Sequence, residues 1–147
     1  MDGSSFERFF DSTKGAQVMI TTNLFVGSRY PVDRKKIRLK VIEVLNRNDI
    51  EKAQVDISIV GSRKIKELNE KRLKHKGVTD VLSFPQHEKD KLDDFPLPVN
   101  LPPHLGDVVI CFPEAVKNAK RYGKMVDDQI CFYLEHGLMH LLGYRHD

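Results

Sequence analysis

The chain has 147 residues, of which 40% are hydrophobic and 31% charged, and this balance predicts one soluble globular domain. No apolar run approaches the roughly 20 residues of a membrane-spanning helix, and the N-terminus lacks the apolar core of a signal peptide. Cys111 and Cys131 stand apart within apolar segments, which favours buried free thiols over a disulfide framework. The composition therefore argues against membrane and disulfide-rich proteins and predicts a cytoplasmic protein.

The net charge of +3 is unevenly spread along the chain. Between Arg34 and Lys76 there are fourteen Lys or Arg residues against six Asp or Glu, a local charge of +8. Such a basic segment suits the phosphate backbone of a nucleic acid. It is equally typical of two amphipathic helices whose basic faces point to solvent, and composition leaves both interpretations open.

The first half of the chain predicts two strands and two helices. Residues 1–18 show no clear period and are predicted to be a flexible N-terminal extension. A strand at Val18–Phe25 precedes a helix that Asp33 caps and that runs to about Arg47, with apolar residues at helical spacing. Alternating apolar and polar residues then predict a half-buried strand at Ala53–Val60, and Ser62 caps a second helix.

The second half predicts two further strands and two helices. A short strand at Thr79–Pro85 is followed by a proline-rich segment, residues 86–104, which is long enough to be a surface insertion or a functional flap. The last strand is Leu105–Phe112, and Pro113 then begins a helix that Gly123 ends. Asp127 begins a final, largely apolar helix.

The elements alternate as βαβαββαα, which predicts an α+β fold. We expect a small mixed sheet of about four strands, covered by the four helices named above or, in all, by about five. Residues 19–147 are predicted to form a single domain, with residues 86–104 as a loop insertion within it.

Three of the six histidines lie at the C-terminal end, at His136, His140 and His146. The first two are one helical turn apart and can face the same atom. Gly143 is placed to end the helix and turn the chain back toward them. The spacing is that of the H-x-x-x-H-x-x-G-x-x-H motif, a metalloprotease-like metal helix with an open coordination position. The alternative is a helix end whose histidines satisfy carbonyl groups.

One departure from the protease motif limits the chemistry. Metalloproteases of this spacing carry a general-base Glu directly after the first His, and here that position is Gly137. At about 100° per residue, Glu135 lies about 120° from the centre of the histidine face. It is therefore predicted to be a solvated or ion-paired side chain, and a peptidase would lack its base.

With Leu68-Asn69, Thr79–Pro85 and Leu105-Gly106-Asp107, this terminal motif resembles the YbeY family of ribosomal-RNA maturation endoribonucleases. The resemblance runs in order from about Met19 to His146. It implies an α+β fold that binds one Zn²⁺, or another transition metal such as Ni²⁺, through His136, His140 and His146.

The same resemblance implies a role for the chain. Members of the family cleave single-stranded RNA and act in small-subunit ribosomal RNA 3′-end maturation and in ribosome quality control. The implied partners are single-stranded RNA, ribosomal RNA and small ribosomal subunit proteins, with neither a membrane nor DNA expected.

Two basic residues are candidates for stabilising the charged transition state of phosphodiester cleavage. Leu73 stands where the family has an arginine, so the neighbouring Arg72 is a shifted candidate. Arg145 stands where many members have Asp before the third His, and its positive charge favours a phosphate. Either arginine could instead be a solvated surface charge.

Other polar residues receive structural interpretations. Asp80 and Asp107 are interpreted as strand-end turn or cap residues, with an orienting role near the metal as the alternative. His104 is interpreted as a loop residue.

The sequence therefore predicts a metal-dependent, single-strand-specific endoribonuclease. Two alternatives stay open. One is a non-catalytic, ribosome-associated RNA-binding domain with a structural metal. The other is a metal-dependent hydrolase of another class, a peptidase included.

Overall fold

A mixed sheet of five strands, in the order β1-β2-β3-β5-β4, is the base of the fold. Our computed structural model describes residues 3–13, 18–86 and 103–143. The strands are β1 (Ser5–Thr13), β2 (Val18–Val26), β3 (Lys52–Val60), β4 (Val81–Pro85) and β5 (His104–Cys111). The central pairs β2–β3 and β3–β5 are parallel, whereas the outer pairs β1–β2 and β4–β5 are antiparallel.

Four helices accompany the sheet within the described residues: α1 (Arg34–Arg47), α2 (Ser62–Arg72), α3 (Phe112–Tyr122) and α4 (Val126–Leu141). The cap of α1 is as predicted, because the Asp33 side chain accepts a hydrogen bond of 3.0 Å from the amide of Lys36. Gly123 ends α3 in the left-handed region, at φ 65°. Across the described ranges, every helix is too short or too polar to cross a membrane.

The α+β class is confirmed, but both element counts differ from the prediction. The sheet has five strands instead of about four, and the described ranges contain four helices instead of about five. The extra strand is β1, which lies within the segment that was predicted to be a flexible extension. For residues 5–13 that prediction is wrong. The loop predicted over residues 86–104 lies mostly outside the described residues, and its last residue, His104, begins β5.

Strand β1 was missed because neither of its faces looks apolar in the sequence. It pairs with β2 over its whole length, from Ser5 opposite Val26 to Thr13 opposite Val18. Acidic side chains on its inner face form ion pairs with α1, Glu7 with Arg34 and Asp11 with Arg38. These partners on α1 are distant in sequence. From the sequence of residues 5–13 alone, the charged side chains therefore look like those of a polar loop.

The two faces of the sheet carry different helices. Val108 belongs to a core cluster with buried residues of α1 and α4, whereas the next residue, Val109, belongs to a cluster with Ile65 of α2. Because successive strand residues point to opposite faces, α1 and α4 cover one face and α2 covers part of the other. This division determines which candidate residues can meet.

Candidate metal centre

Helix α4 presents the first two predicted ligands one turn apart. His136 is exposed and His140 is half-buried. The helix ends as predicted, since Gly143 has φ 97° and its amide donates a hydrogen bond of 3.0 Å to the carbonyl of His140. His146 and Arg145 lie outside the described residues. The three-histidine set and the role of Arg145 therefore stay predictions.

The position of α4 follows from its sequence. Its buried apolar residues recur at helical spacing and face the sheet: Ile130, Leu134, Leu138 and Leu141. Asp127 and Asp128 stand in its first turn, where negative charge is favourable. Asp127 accepts a hydrogen bond of 2.9 Å from the amide of Asp33, and Asp128 pairs with Lys36. These contacts attach the start of α4 to the start of α1.

Gly137 is a point of close approach between α4 and the sheet. A Cβ at this position would lie 2.7 Å from Cγ1 of Val108 in β5, a distance that real Cβ atoms do not show. A Glu at position 137 would therefore point into a buried part of the core and away from the histidine face. The missing general base is a packing requirement of this chain, which argues against the peptidase alternative.

Glu135 is an ion-paired side chain, as predicted. Its carboxylate lies 3.3 Å from Nη2 of Arg47 and 3.7 Å from Nζ of Lys40, both on α1. These contacts direct it toward α1. It is consequently not placed to act as a base beside His136.

Ser83 is a neighbour of the candidate ligands that the sequence did not single out. Its Oγ forms a hydrogen bond with Nδ1 of His140. Ser83 lies in β4, directly opposite Val108 of β5 in the register. The contact joins residues 57 positions apart, and only the strand pairing brings them together. When Nδ1 carries the ring proton, this hydrogen bond leaves Nε2 as the nitrogen of His140 that could bind a metal.

Arg72 is the last residue of α2 and is exposed. Helix α2 packs on the face of the sheet opposite α4, which carries His136 and His140. The catalytic role of Arg72 beside these histidines is therefore still a prediction. The loop that follows is held by Asn69, whose buried side chain donates a hydrogen bond of 3.1 Å to the carbonyl of Gly77. This bond gives a structural role to the Asn of the Leu68-Asn69 motif.

A second group of possible ligands lies on the other face of the sheet, at Asp56, His104 and Asp107. One potential ligand atom from each lies within 4.8 Å of the other two. Nε2 of His104 lies 3.0 Å from the Asp56 carboxylate, which also accepts a hydrogen bond of 2.7 Å from Asn23. Asp107 precedes Val108, so its side chain lies on the face opposite α4. The structure does not place Asp107 beside the histidine helix.

Electrostatics favour the charged form of Asp56. Burial works to raise the pKa of its carboxyl group, but hydrogen bonds from His104 and Asn23 outweigh burial and hold that pKa below its ordinary value of 3.8. No sequence pattern pointed to this cluster, because Asp56 fits the polar half of an alternating strand and His104 fits a loop.

Both cysteines are free and buried, as predicted. Burial raises the pKa of the Cys111 thiol and of the Cys131 thiol. Neither thiol therefore has the thiolate character of a metal ligand or nucleophile.

Comparison with known proteins supplies a family. A family model described as Endoribonuclease YbeY matches residues 27–147. An Endoribonuclease YbeY from Finegoldia magna is 37% identical over 112 residues, which cover 76% of this chain and 66% of that protein. One from Dehalococcoides mccartyi is 41% identical over 99 residues, covering 64% of this chain and 62% of that protein. One from Macrococcus caseolyticus is 33% identical over 132 residues, covering 87% and 83%.

The chain thus spans less than two thirds of the length of the Finegoldia and Dehalococcoides proteins. A solution structure of a Thermotoga maritima protein has a TM-score of 0.49 and 25% identity, covering 77% of this chain and 66% of that one. The family model covers most of the chain, and the Macrococcus protein is matched over most of its own length. On these two matches, the chain belongs to the endoribonuclease YbeY family.

Proposed function

We propose that this chain is a metal-dependent endoribonuclease that cleaves single-stranded RNA. Its domain is the predicted residues 19–147 together with β1, which pairs with β2 in the same sheet. The observation that carries the proposal is the arrangement of α4. His136 and His140 stand one turn apart on a helix that Gly137 holds against the sheet. Family membership supports the activity, because its curated relatives are named endoribonucleases.

The side chains on α4 fit a transition metal. Nδ1 of His140 forms a hydrogen bond with Ser83, so Nε2 is available to an ion when Nδ1 carries the ring proton, and exposed His136 lies one turn away. We propose His146 as the third ligand. A bound Zn²⁺, or a similar ion such as Ni²⁺, would polarise a phosphoryl oxygen and acidify a bound water. Arg72 and Arg145 are proposed to stabilise negative charge on the phosphoryl oxygens.

The basic segment between Arg34 and Lys76 divides into two parts. Most cations of α1 pair with acidic groups of the protein itself, as in Arg34 with Glu7 and Arg47 with Glu135. On α2 and the loop after it, one ion pair is seen among the described residues, between Lys71 and Glu67. Exposed cations remain there at Arg63, Lys64, Lys66, Arg72, Lys74 and Lys76. We propose this second part as the RNA-contacting surface.

Membership of the family is the basis for a proposed role in the cell. We propose that the chain acts in ribosomal RNA processing, including small-subunit 3′-end maturation and ribosome quality control. Ribosomal RNA and small ribosomal subunit proteins would then be its partners, in the cytoplasm.

The activity is tested with a short fluorescent single-stranded RNA, in Zn²⁺, in Ni²⁺ and after chelation. Wild type should cleave the RNA only with metal, and His136→Ala and His140→Ala should abolish cleavage. His104→Ala is the matched control, because it removes a histidine from the cluster on the opposite sheet face. Cleavage that depends on His104 and not on His140 would show that the metal binds at that cluster and not on α4.

The same assay separates the alternatives. RNA that binds but stays intact in every metal would identify a non-catalytic RNA-binding domain. Cleavage of a peptide and not of RNA would identify a hydrolase of another class.

The RNA surface is tested by charge reversal. Lys64→Glu with Lys66→Glu should weaken RNA binding and reduce the slope of log K against log salt by about 0.7 for each phosphate that the protein no longer neutralises. Lys117→Glu with Lys120→Glu, on exposed positions of α3, changes the net charge equally and should leave the slope nearly unchanged. If both double substitutions weakened RNA binding equally, the effect would be due to net charge and not to a contact surface on α2.

A further inference from the structure

We propose that Ser83 is a positioning residue for the metal centre. In this role it accepts a hydrogen bond from Nδ1–H of His140 and holds the Nε2 lone pair toward the metal. The inference rests on the proposed function, in which His140 is a ligand. It starts from the contact between Ser83 Oγ and His140 Nδ1.

The direction of this hydrogen bond decides whether His140 can bind a metal. A neutral imidazole has one N–H and one nitrogen with a free lone pair. If the Ser83 hydroxyl donated to Nδ1, the proton of His140 would be on Nε2, and Nε2 could not be a ligand. With the hydroxyl as acceptor, Nδ1 carries the proton and Nε2 is available. Metal-binding histidines generally donate their second N–H in this manner.

The fold fixes the distance between the two residues. Ser83 is paired with Val108, and Val108 in turn lies against Gly137, three residues before His140. Leu82 and Phe84, on either side of Ser83, pack in the cluster on the opposite face. A slip of one residue in β4 would therefore bring an apolar side chain under His140 in place of the hydroxyl.

A second close approach supports the same register. Gly106 of β5 has φ 139°, which favours glycine, and a Cβ there would meet the Phe84 carbonyl and the Leu141 side chain. Strands β4 and β5 and the end of α4 thus converge around Ser83 and His140. Both of these residues are half-buried, so the hydrogen bond is partly shielded from competing water.

The tautomer is tested in metal-free protein by two-bond ¹H–¹⁵N correlation of the histidine rings in alkaline buffer, where imidazoles are neutral. In wild type, Nδ1 of His140 should carry the proton. Ser83→Ala should lose this preference, and Ser83→Thr, which keeps the hydroxyl, should restore it. Ser58→Ala is the control, because it removes a strand hydroxyl from the opposite face of the sheet. A wild-type His140 with its proton on Nε2 would overturn the proposal.

Zn²⁺ affinity, measured with a competing chelator, is the second readout. Ser83→Ala should weaken binding by about 10- to 100-fold, the usual effect of removing such a partner, while Ser83→Thr and Ser58→Ala stay near wild type. Unchanged affinity in Ser83→Ala, with thermal unfolding showing intact folding, would refute the positioning role alone. If His140→Ala binds Zn²⁺ as tightly as wild type, the metal centre of the proposed function fails instead, whatever the tautomer.

Discussion

Replacing Gly137 by Ala should destabilise this protein, although replacing Gly by Ala in an ordinary helix interior stabilises the helix by about 1 kcal/mol. The added Cβ would lie 2.7 Å from Cγ1 and 3.2 Å from Cγ2 of Val108. Optimal carbon contacts are about 3.5–4.0 Å, so the closer pair overlaps by about 1 Å.

Val108 has little freedom to move away. It is fully buried, and it lies in β5 between Ile57 of β3 and Ser83 of β4. Overpacking of this kind costs about 1–3 kcal/mol. After the gain in helix propensity of about 1 kcal/mol is subtracted, we expect a net destabilisation of about 0–2 kcal/mol. For a domain of this size, that corresponds to a fall in Tm of up to roughly 8 °C.

A double-mutant cycle isolates the clash from other effects of the substitution. Val108→Ala removes both methyl groups, so Gly137→Ala should stabilise the Val108→Ala protein by about 1 kcal/mol. Denaturant unfolding of the four proteins measures each step. Stabilisation by Gly137→Ala in the wild-type background would refute the packing argument, and so would an equal destabilisation in both backgrounds.

Two further predictions test the sheet. Phe9→Ala in β1 should lower the free energy of unfolding by about 2 kcal/mol, because Phe9 packs against the core. Phe10→Ala is the control: this side chain is 75% exposed, and its loss should change that free energy by no more than about 0.5 kcal/mol. Equal, negligible effects of both substitutions would show that β1 does not pack against the core. The lowered pKa of Asp56 stabilises the fold above its ordinary value of 3.8, and this contribution is lost as pH falls through the folded-state pKa. In chelator, the Tm advantage of wild type over Asp56→Asn should therefore shrink as the pH falls below 3.8, and a gap independent of pH would contradict the assignment.

Local sequence patterns were enough to predict the features that are determined by residues within a single helix. Helix α4, its end at Gly143 and the ion-paired state of Glu135 were all predicted from helical periodicity and turn chemistry. The motif also predicted that His136 and His140 lie one turn apart on this helix, which the structure confirms, while their role as metal ligands stays a prediction. These features need only the spacing of residues within one helix.

Features that depend on strand register could not be predicted in this way. The contact of Ser83 with His140 requires β4 to pair with β5 in one particular alignment. The cluster of Asp56, His104 and Asp107 requires two strands that are far apart in the sequence to be neighbours. Strand β1 was missed for a related reason, since its charged face is explained only by partners on α1.

The two halves of the proposed site lie on opposite faces of the sheet, and this arrangement bears on the substrate. Helix α4 packs on one face of the β4–β5 pair and α2 on the other, and β4 is the edge strand between them. An RNA held by the cations of α2 would therefore have to turn from one face of the sheet to the other to reach the histidines of α4, and among the described elements the β4 edge offers such a turn. A flexible single strand can follow such a turn, whereas a stiff duplex resists sharp bending over a few base pairs. The proposed preference for single-stranded RNA thus has a physical basis in where α2 and α4 pack.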